Sequence, residues 1–239
     1  MPARRRLTVV NSESDRARPT ALITGATRGL GAAIARSLGT DHHVLVGGRS
    51  AQDAATVAKD LPDAAPWVVD VTDAAAVAGA LADIDRLDVL VHNAGVIELG
   101  PVAQTDAAAW RKTFEVNVIA VAELTRLALP ALRRAGGHVV IINSRAGLFA
   151  HPNWSSYAAS KFALRGFADA LRAEEPDIRV TSIFPGRIDT DMQREVVAFE
   201  DRDYRADEFM SADTVAGAVR AAVDTPADAH PVEVVLRPR

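Results

Sequence analysis

The chain has 239 residues, 49% of them hydrophobic and 24% charged, a composition near the globular average and long enough for one domain with a sizeable core. Its 27 Lys and Arg stand against 31 Asp and Glu, a formal charge of -4, so no overall positive field draws it onto nucleic acid or an anionic membrane. The sequence has no cysteine, which excludes a disulfide framework, a thiolate zinc site and a cysteine nucleophile; with no export signal or apolar span of ~18 residues, the expectation is a cytoplasmic protein without nucleic-acid or membrane partners.

Residues 1–18 are polar and mixed in charge and read as a disordered tail ahead of a single domain over 19–239. From Thr20 onward, short apolar runs alternate with alanine-rich stretches of helical period. Strands are expected over 21–24, 43–46, 67–69, 89–91, 139–142, 180–184 and 232–236, and helices over 32–38, 51–61, 74–84, 110–134, 157–174 and 214–223. The strands are continuous apolar runs, as in a parallel sheet covered on both faces. The fold class is therefore α/β, a doubly wound parallel sheet of seven strands in a single domain.

After the first strand comes Thr24-Gly25-Ala26-Thr27-Arg28-Gly29-Leu30-Gly31, and a helix follows. Glycines at 25, 29 and 31 in that context allow a sharp turn, a close approach of backbone to a pyrophosphate, and tight helix packing, with the anion at the helix N-terminus. The end of the second strand decides which dinucleotide binds, since a carboxylate there would bind the ribose and repel a 2′-phosphate. The chain instead reads Gly47-Gly48-Arg49-Ser50. Arg49, with Arg28 from the glycine loop, favours NADP(H), and NAD(H) stays open.

Tyr157 and Lys161 stand four apart, on one face of a helix. An ammonium ~4 Å from a phenol at an effective dielectric of ~20 stabilises the phenolate by ~4 kcal/mol, enough to draw a tyrosine from ~10 toward neutrality. A tyrosine so tuned exchanges protons near neutral pH.

With these residues in order, the sequence resembles a short-chain dehydrogenase/reductase of the common single-domain branch, over roughly 19–236. The resemblance rests on the glycine loop, Asp70, Asn93-Ala94-Gly95, Asn117, Ser144 with Tyr157 and Lys161, and Pro185-Gly186 with Thr190. It implies a Rossmann-like sheet, a nicotinamide cofactor, a small-molecule carbonyl or alcohol substrate, and a homodimer or homotetramer. It further implies Tyr157 as acid/base, Lys161 lowering its pKa and holding the nicotinamide ribose, Ser144 orienting the substrate oxygen, and Asn117 holding a water in the proton relay. Asp70 and Val71 would flank the adenine, Asn93 the adenosine ribose, and Ile188 and Thr190 the carboxamide end, while the same residues also have plain structural uses: Asn93 and Asn117 could satisfy buried backbone groups and Thr190 could cap a helix.

Two positions depart from the family pattern. His92 stands where asparagine is usual, and Arg145 follows Ser144 where small residues are common, either as a surface ion pair or facing an anionic substrate group. The resemblance further implies that residues 148–154 and the stretch after Gly186, with Arg187, Ile188, Asp189, Met192 and Phe199, wall the substrate. The charge run 200–208 reads as a solvated loop or lid. Ala159, Ala163, Gly166 and Ala170 form a small-residue stripe suited to close helix approach. A non-catalytic dinucleotide sensor is the alternative function; His151 has no hydrolase elbow around it, so a Ser-His-Asp triad is not supported.

Overall fold

The apolar runs become seven parallel strands: β1 (Thr20–Ile23), β2 (His43–Gly48), β3 (Ala64–Val68), β4 (Val89–His92), β5 (His138–Ile142), β6 (Arg179–Phe184) and β7 (Glu233–Val235). The computed structural model describes residues 18–226 and 228–239. Apart from Arg18, the expected tail lies outside the described residues. The strand order is β3-β2-β1-β4-β5-β6-β7, which reverses direction between β1 and β4 and opens a crevice at their C-terminal ends.

Between the strands run α1 (Gly29–Leu38), α2 (Ala51–Lys59), α3 (Ala74–Leu81), α4 (Ala107–Phe114), α5 (Ala120–Ala135), α6 (Ser155–Glu174), α7 (Asp191–Phe199) and α8 (Ala212–Val223). Most start where a side chain caps free N–H groups: Ser50 for α2, Asp73 for α3, Asp106 for α4, Thr190 for α7 and Ser211 for α8. Alternate residues of the strands feed two cores. Ile23, Val44, Val91, Val140 and Ile183 pack with α1 and α8, while Leu22, Leu90, Val139, Ile141 and Val180 pack with α3, α5 and α6.

Three expectations need correction. The helix expected over 110–134 is α4 and α5 joined by a π-helical turn, Glu115–Ile119. The third strand begins at Ala64 rather than 67, because Ala64 to Val68 pair in register with Val44 to Gly48. Helix α7 was expected only as a substrate-wall stretch; Thr190, whose Oγ1 accepts from Gln193 N at 3.3 Å, starts it.

Candidate active site

The glycine loop is locked to the end of β4. Thr24 Oγ1 accepts from Asn93 N (3.0 Å) and Ala94 N (3.1 Å), and Asn93 Nδ2 donates to Thr24 O (2.9 Å) and Gly25 O (3.0 Å). Gly25 has φ +62°, and a Cβ at Gly31 would lie 2.2 Å from Gly25 O and 2.5 Å from Asn93 Nδ2. Both glycines are thus required by geometry. A Cβ at Gly48 would lie 2.4 Å from Thr27 Cγ2, so the end of β2 closes against the loop. Beyond it, Asp70 Oδ1 accepts from Thr72 N and Thr72 Oγ1, and these bonds, with the nearby Arg49 charge, hold its carboxyl below the usual range. Val71 beside it is half-buried against the core.

Ser144 leaves β5 just before a 3-10 turn (Arg145–Gly147), and its Oγ accepts from Ala146 N at 3.1 Å. Tyr157 and Lys161, on the first turns of α6, are 8% and 6% exposed. Lys161 Nζ donates to Ile142 O (3.0 Å) and lies 5.6 Å from the centre of the Tyr157 ring. Burial lowers the Lys161 pKa to about 8. Burial also raises the Tyr157 hydroxyl above its ordinary range, against the smaller downward pull of a hydrogen bond with Ser144. Burial thus favours the neutral phenol over the acidified one that the spacing argument anticipates, because it disfavours the charged phenolate.

Asn117 lies in the π turn, 1% exposed. Its Oδ1 accepts from Val96 N (2.9 Å), and its Nδ2 donates to Val96 O (2.9 Å) and Ser160 Oγ (3.1 Å). A Cβ at Gly95 would come within 3.3 Å of the same Oδ1. Pro185 O accepts from Arg145 N (3.1 Å), Gly186 N donates to Leu236 O (2.9 Å), and Ile188 and Thr190 carry the chain onward into α7.

A family model described as short chain dehydrogenase matches residues 19–201. This chain is a member of the short-chain dehydrogenase/reductase family. It is 36% identical over 177 residues to an uncharacterized oxidoreductase of Schizosaccharomyces pombe, covering 72% of each chain. It is 39% identical over 182 residues to cis-4-hydroxycyclohexanecarboxylate dehydrogenase of Sinomonas cyclohexanicum, covering 71% of this chain and 73% of that one. Among solved structures it resembles a short chain dehydrogenase of Burkholderia cenocepacia in complex with NADP, with a TM-score of 0.80, 30% identity, and coverage of 92% of this chain and 89% of that one.

The residues of this dehydrogenase/reductase fit a dinucleotide. No side chain caps α1 and no acidic residue stands in its first turn, so its free N–H groups face the cradle, with Arg28 and Arg49 as the local cations. Arg28 reaches the other wall of the crevice, where its Nε lies 3.5 Å from Asp191 at the start of α7. Arg145 forms no ion pair among the described residues. Its guanidinium lies 4.7 Å from the centre of the Phe149 ring, and its buried Nε has no partner.

Four features escape a reading by motif. Asn143 Oδ1 accepts from Ser144 N (2.8 Å) and its Nδ2 donates to Lys161 O (3.1 Å), tying the serine to α6. Ser160 carries the Asn117 network on to Tyr157 O at 2.7 Å. Trp154 meets the Tyr157 ring edge-on at 5.8 Å. Gln193 is 6% exposed and its Nε2 has no partner. Trp154 falls in the stretch 148–154 already expected to wall the substrate, and Gln193 stands third after Thr190 in a Thr-x-x-Gln capping pattern.

Proposed function

We propose that the chain is an NADP(H)-dependent oxidoreductase that interconverts a carbonyl and a secondary alcohol of a small molecule. The observation that carries this reading is the convergence of Ser144, Tyr157 and Lys161 at the crevice, with Tyr157 and Lys161 buried and the Lys161 ammonium 5.6 Å from the Tyr157 ring. When bound, the nicotinamide supplies or takes up the hydride. Ser144 holds the substrate oxygen, and Tyr157 gives that oxygen a proton in reduction and takes it back in oxidation. Lys161, fixed by Ile142 O and Asn143, places its charge beside the phenol and the nicotinamide ribose. Asn117 steadies α4 and α5 against the Val96 backbone, next to where a relay water would sit.

The preference for NADP(H) rests on Arg49, on Arg28, and on the lack of a carboxylate at the end of β2; the similar Burkholderia structure is a complex with NADP. Asp70 and Val71 flank the adenine, Asn93 and Ala94 the adenosine ribose, and Ile188 and Thr190 the carboxamide. The substrate wall is aromatic, with Phe149, His151 and Trp154 in successive edge contacts that end on Tyr157. It suits a ring-shaped secondary alcohol, and the Sinomonas relative bears the name of an enzyme acting on one. The working assembly is a homodimer or homotetramer in the cytoplasm, a setting that a chain without cysteine suits.

Fluorescence titration with NADPH and with NADH tests the cofactor. Each charged hydrogen bond to a 2′-phosphate is worth about 1.5–3 kcal/mol, so NADPH should bind at least ~10-fold tighter. Equal or tighter NADH binding would overturn the preference. Tyr157→Phe should abolish nearly all turnover of cyclic ketones and alcohols and leave NADPH affinity unchanged; turnover that survives it removes Tyr157 from the role.

A further inference from the structure

A helix of nine residues such as α7 is marginal on its own, and only Gln193, Val196 and Val197 of it are buried. What holds it is the charge run that follows. The segment from Glu200 to Met210 folds back along α7 as a strap and is fixed at both ends. At one end Glu200 pairs with Arg187 through two carboxylate oxygens. At the other, Asp189 N donates to Met210 O (2.8 Å) and Met210 N to Arg187 O (3.1 Å), with the Met210 side chain buried. Arg202 joins the strap to itself, 3.6 Å from Glu200 and 2.9 Å from Glu208.

Midway along, Tyr204 turns inward. Its hydroxyl donates to Asp189 Oδ1, Arg194 lies 4.0 Å over its ring, and Phe209 packs against it at 5.1 Å. Arg194 also approaches Asp189 at 3.6 Å, so tyrosine, arginine and aspartate close a triangle between the strap, α7 and the segment that leads into it. The exposed ion pairs of the strap contribute little each and are screened by salt. The half-buried Tyr204 bond is not so exposed, and burial together with Asp189 raises the Tyr204 pKa and keeps its proton in place.

We propose that Tyr204 is a positioning residue: through Asp189 and Arg194 it holds Ile188 to Thr190 at the mouth of the crevice, ready for the nicotinamide end of the cofactor. The proposal rests on the reading of Ile188 and Thr190 as cofactor contacts, and it assigns the charge run a job that the motif set does not.

Tyr204→Phe keeps the ring, its stacking and the packing on Phe209, and removes only the hydroxyl. Two readouts on the full chain are taken together. Amide hydrogen exchange of the unliganded protein at 188–190 should speed up in the variant while exchange in β1 and β4 stays as in the parent. NADPH should bind on the order of 10-fold more weakly, with KM for NADPH rising by a similar factor and kcat nearly kept. Asp189→Asn, which retains an acceptor for the tyrosine, should recover most of the affinity that Asp189→Ala loses. Unchanged exchange at 188–190 together with NADPH affinity within twofold of the parent overturns the proposal. If the parent itself binds neither NADPH nor NADH, the cofactor reading fails, and the exchange experiment alone decides whether Tyr204 holds the segment.

Discussion

At the scale of single residues, two buried histidines set how the fold responds to acid. His92 Nε2 lies 2.8 Å from Thr125 Oγ1, and that hydroxyl already donates to Val121 O at 2.7 Å. His138 Nε2 lies 2.8 Å from Thr181 Oγ1, which donates to Pro231 O at 2.6 Å. In both pairs the hydroxyl proton is committed, so the ring donates from Nε2, and burial favours the neutral ring. The bond that His92 makes therefore runs to α5, where the family's asparagine would be expected to bridge toward a neighbouring strand. Burial lowers each pKa from 6.5 to about 3. The unfolded chain then binds more protons than the folded one between those values, so stability is complete above pH ~6.5 and falls as the pH drops, by up to ~1.4 kcal/mol per unit for each ring. Asp41, held near 2 by Arg220, loses its share as the pH falls from the ordinary carboxylate value of 3.8 toward 2, below the pH 5 to 7.5 range in which the histidines are read. Urea unfolding at pH 7.5, 6 and 5 should show this slope, and His92→Asn should flatten it by about one proton; an unaltered slope would mean that His92 is not neutral in the folded state.

At the scale of elements, regular pieces are legible in the sequence and irregular ones are not. Continuous apolar runs locate the strands because both faces of the sheet are covered, and Ser50, Asp73 and Ser211 announce their helices by chemistry that acts within one turn. The π turn at Glu115–Ile119 has no local signal, because what stabilises it is a contact 21 residues away, Asn117 with the Val96 backbone. Motif matching marks Asn117 as a relay residue, while the structure also gives it a packing role that requires both its oxygen and its nitrogen. Asn117→Ala should orphan the half-buried Val96 N–H and C=O and cost roughly 1–3 kcal/mol of unfolding free energy by denaturant titration. Asn117→Asp, which keeps the acceptor for Val96 N, should cost less. Equal losses in the two variants would show that the backbone clamp is not what Asn117 supplies.

At the scale of the whole molecule, strictly alternating strands and helices dictate parallel pairing, and the reversal of strand order between β1 and β4 puts the glycine loop, Asn93 and Ser144 at one end of the sheet. Residues as far apart in sequence as Arg28 and Asp191 meet there without any long-range signal in composition. Which outer faces stay uncovered is a different matter, since it depends on how helices settle against one another. Along α6 the small-residue stripe is not wholly consumed by internal packing: a Cβ at Gly166 would meet nothing within 4 Å, and Phe162, one turn earlier, is 43% exposed. Ile119, at the end of the π turn that packs against α6, is 52% exposed. Helix axes can approach to ~8 Å only where small residues leave a groove, and Gly166 offers that groove beside an apolar flank. A second copy laid antiparallel on α6 would bury Phe162 and Ile119 and brace the helix that carries Tyr157 and Lys161. Sedimentation at micromolar concentration should then give a dimer or tetramer. Gly166→Arg, which adds bulk and charge where nothing in the chain resists it, should leave the monomer folded by circular dichroism and shift it to the monomeric mass; an unchanged assembly would place the subunit contact on another face.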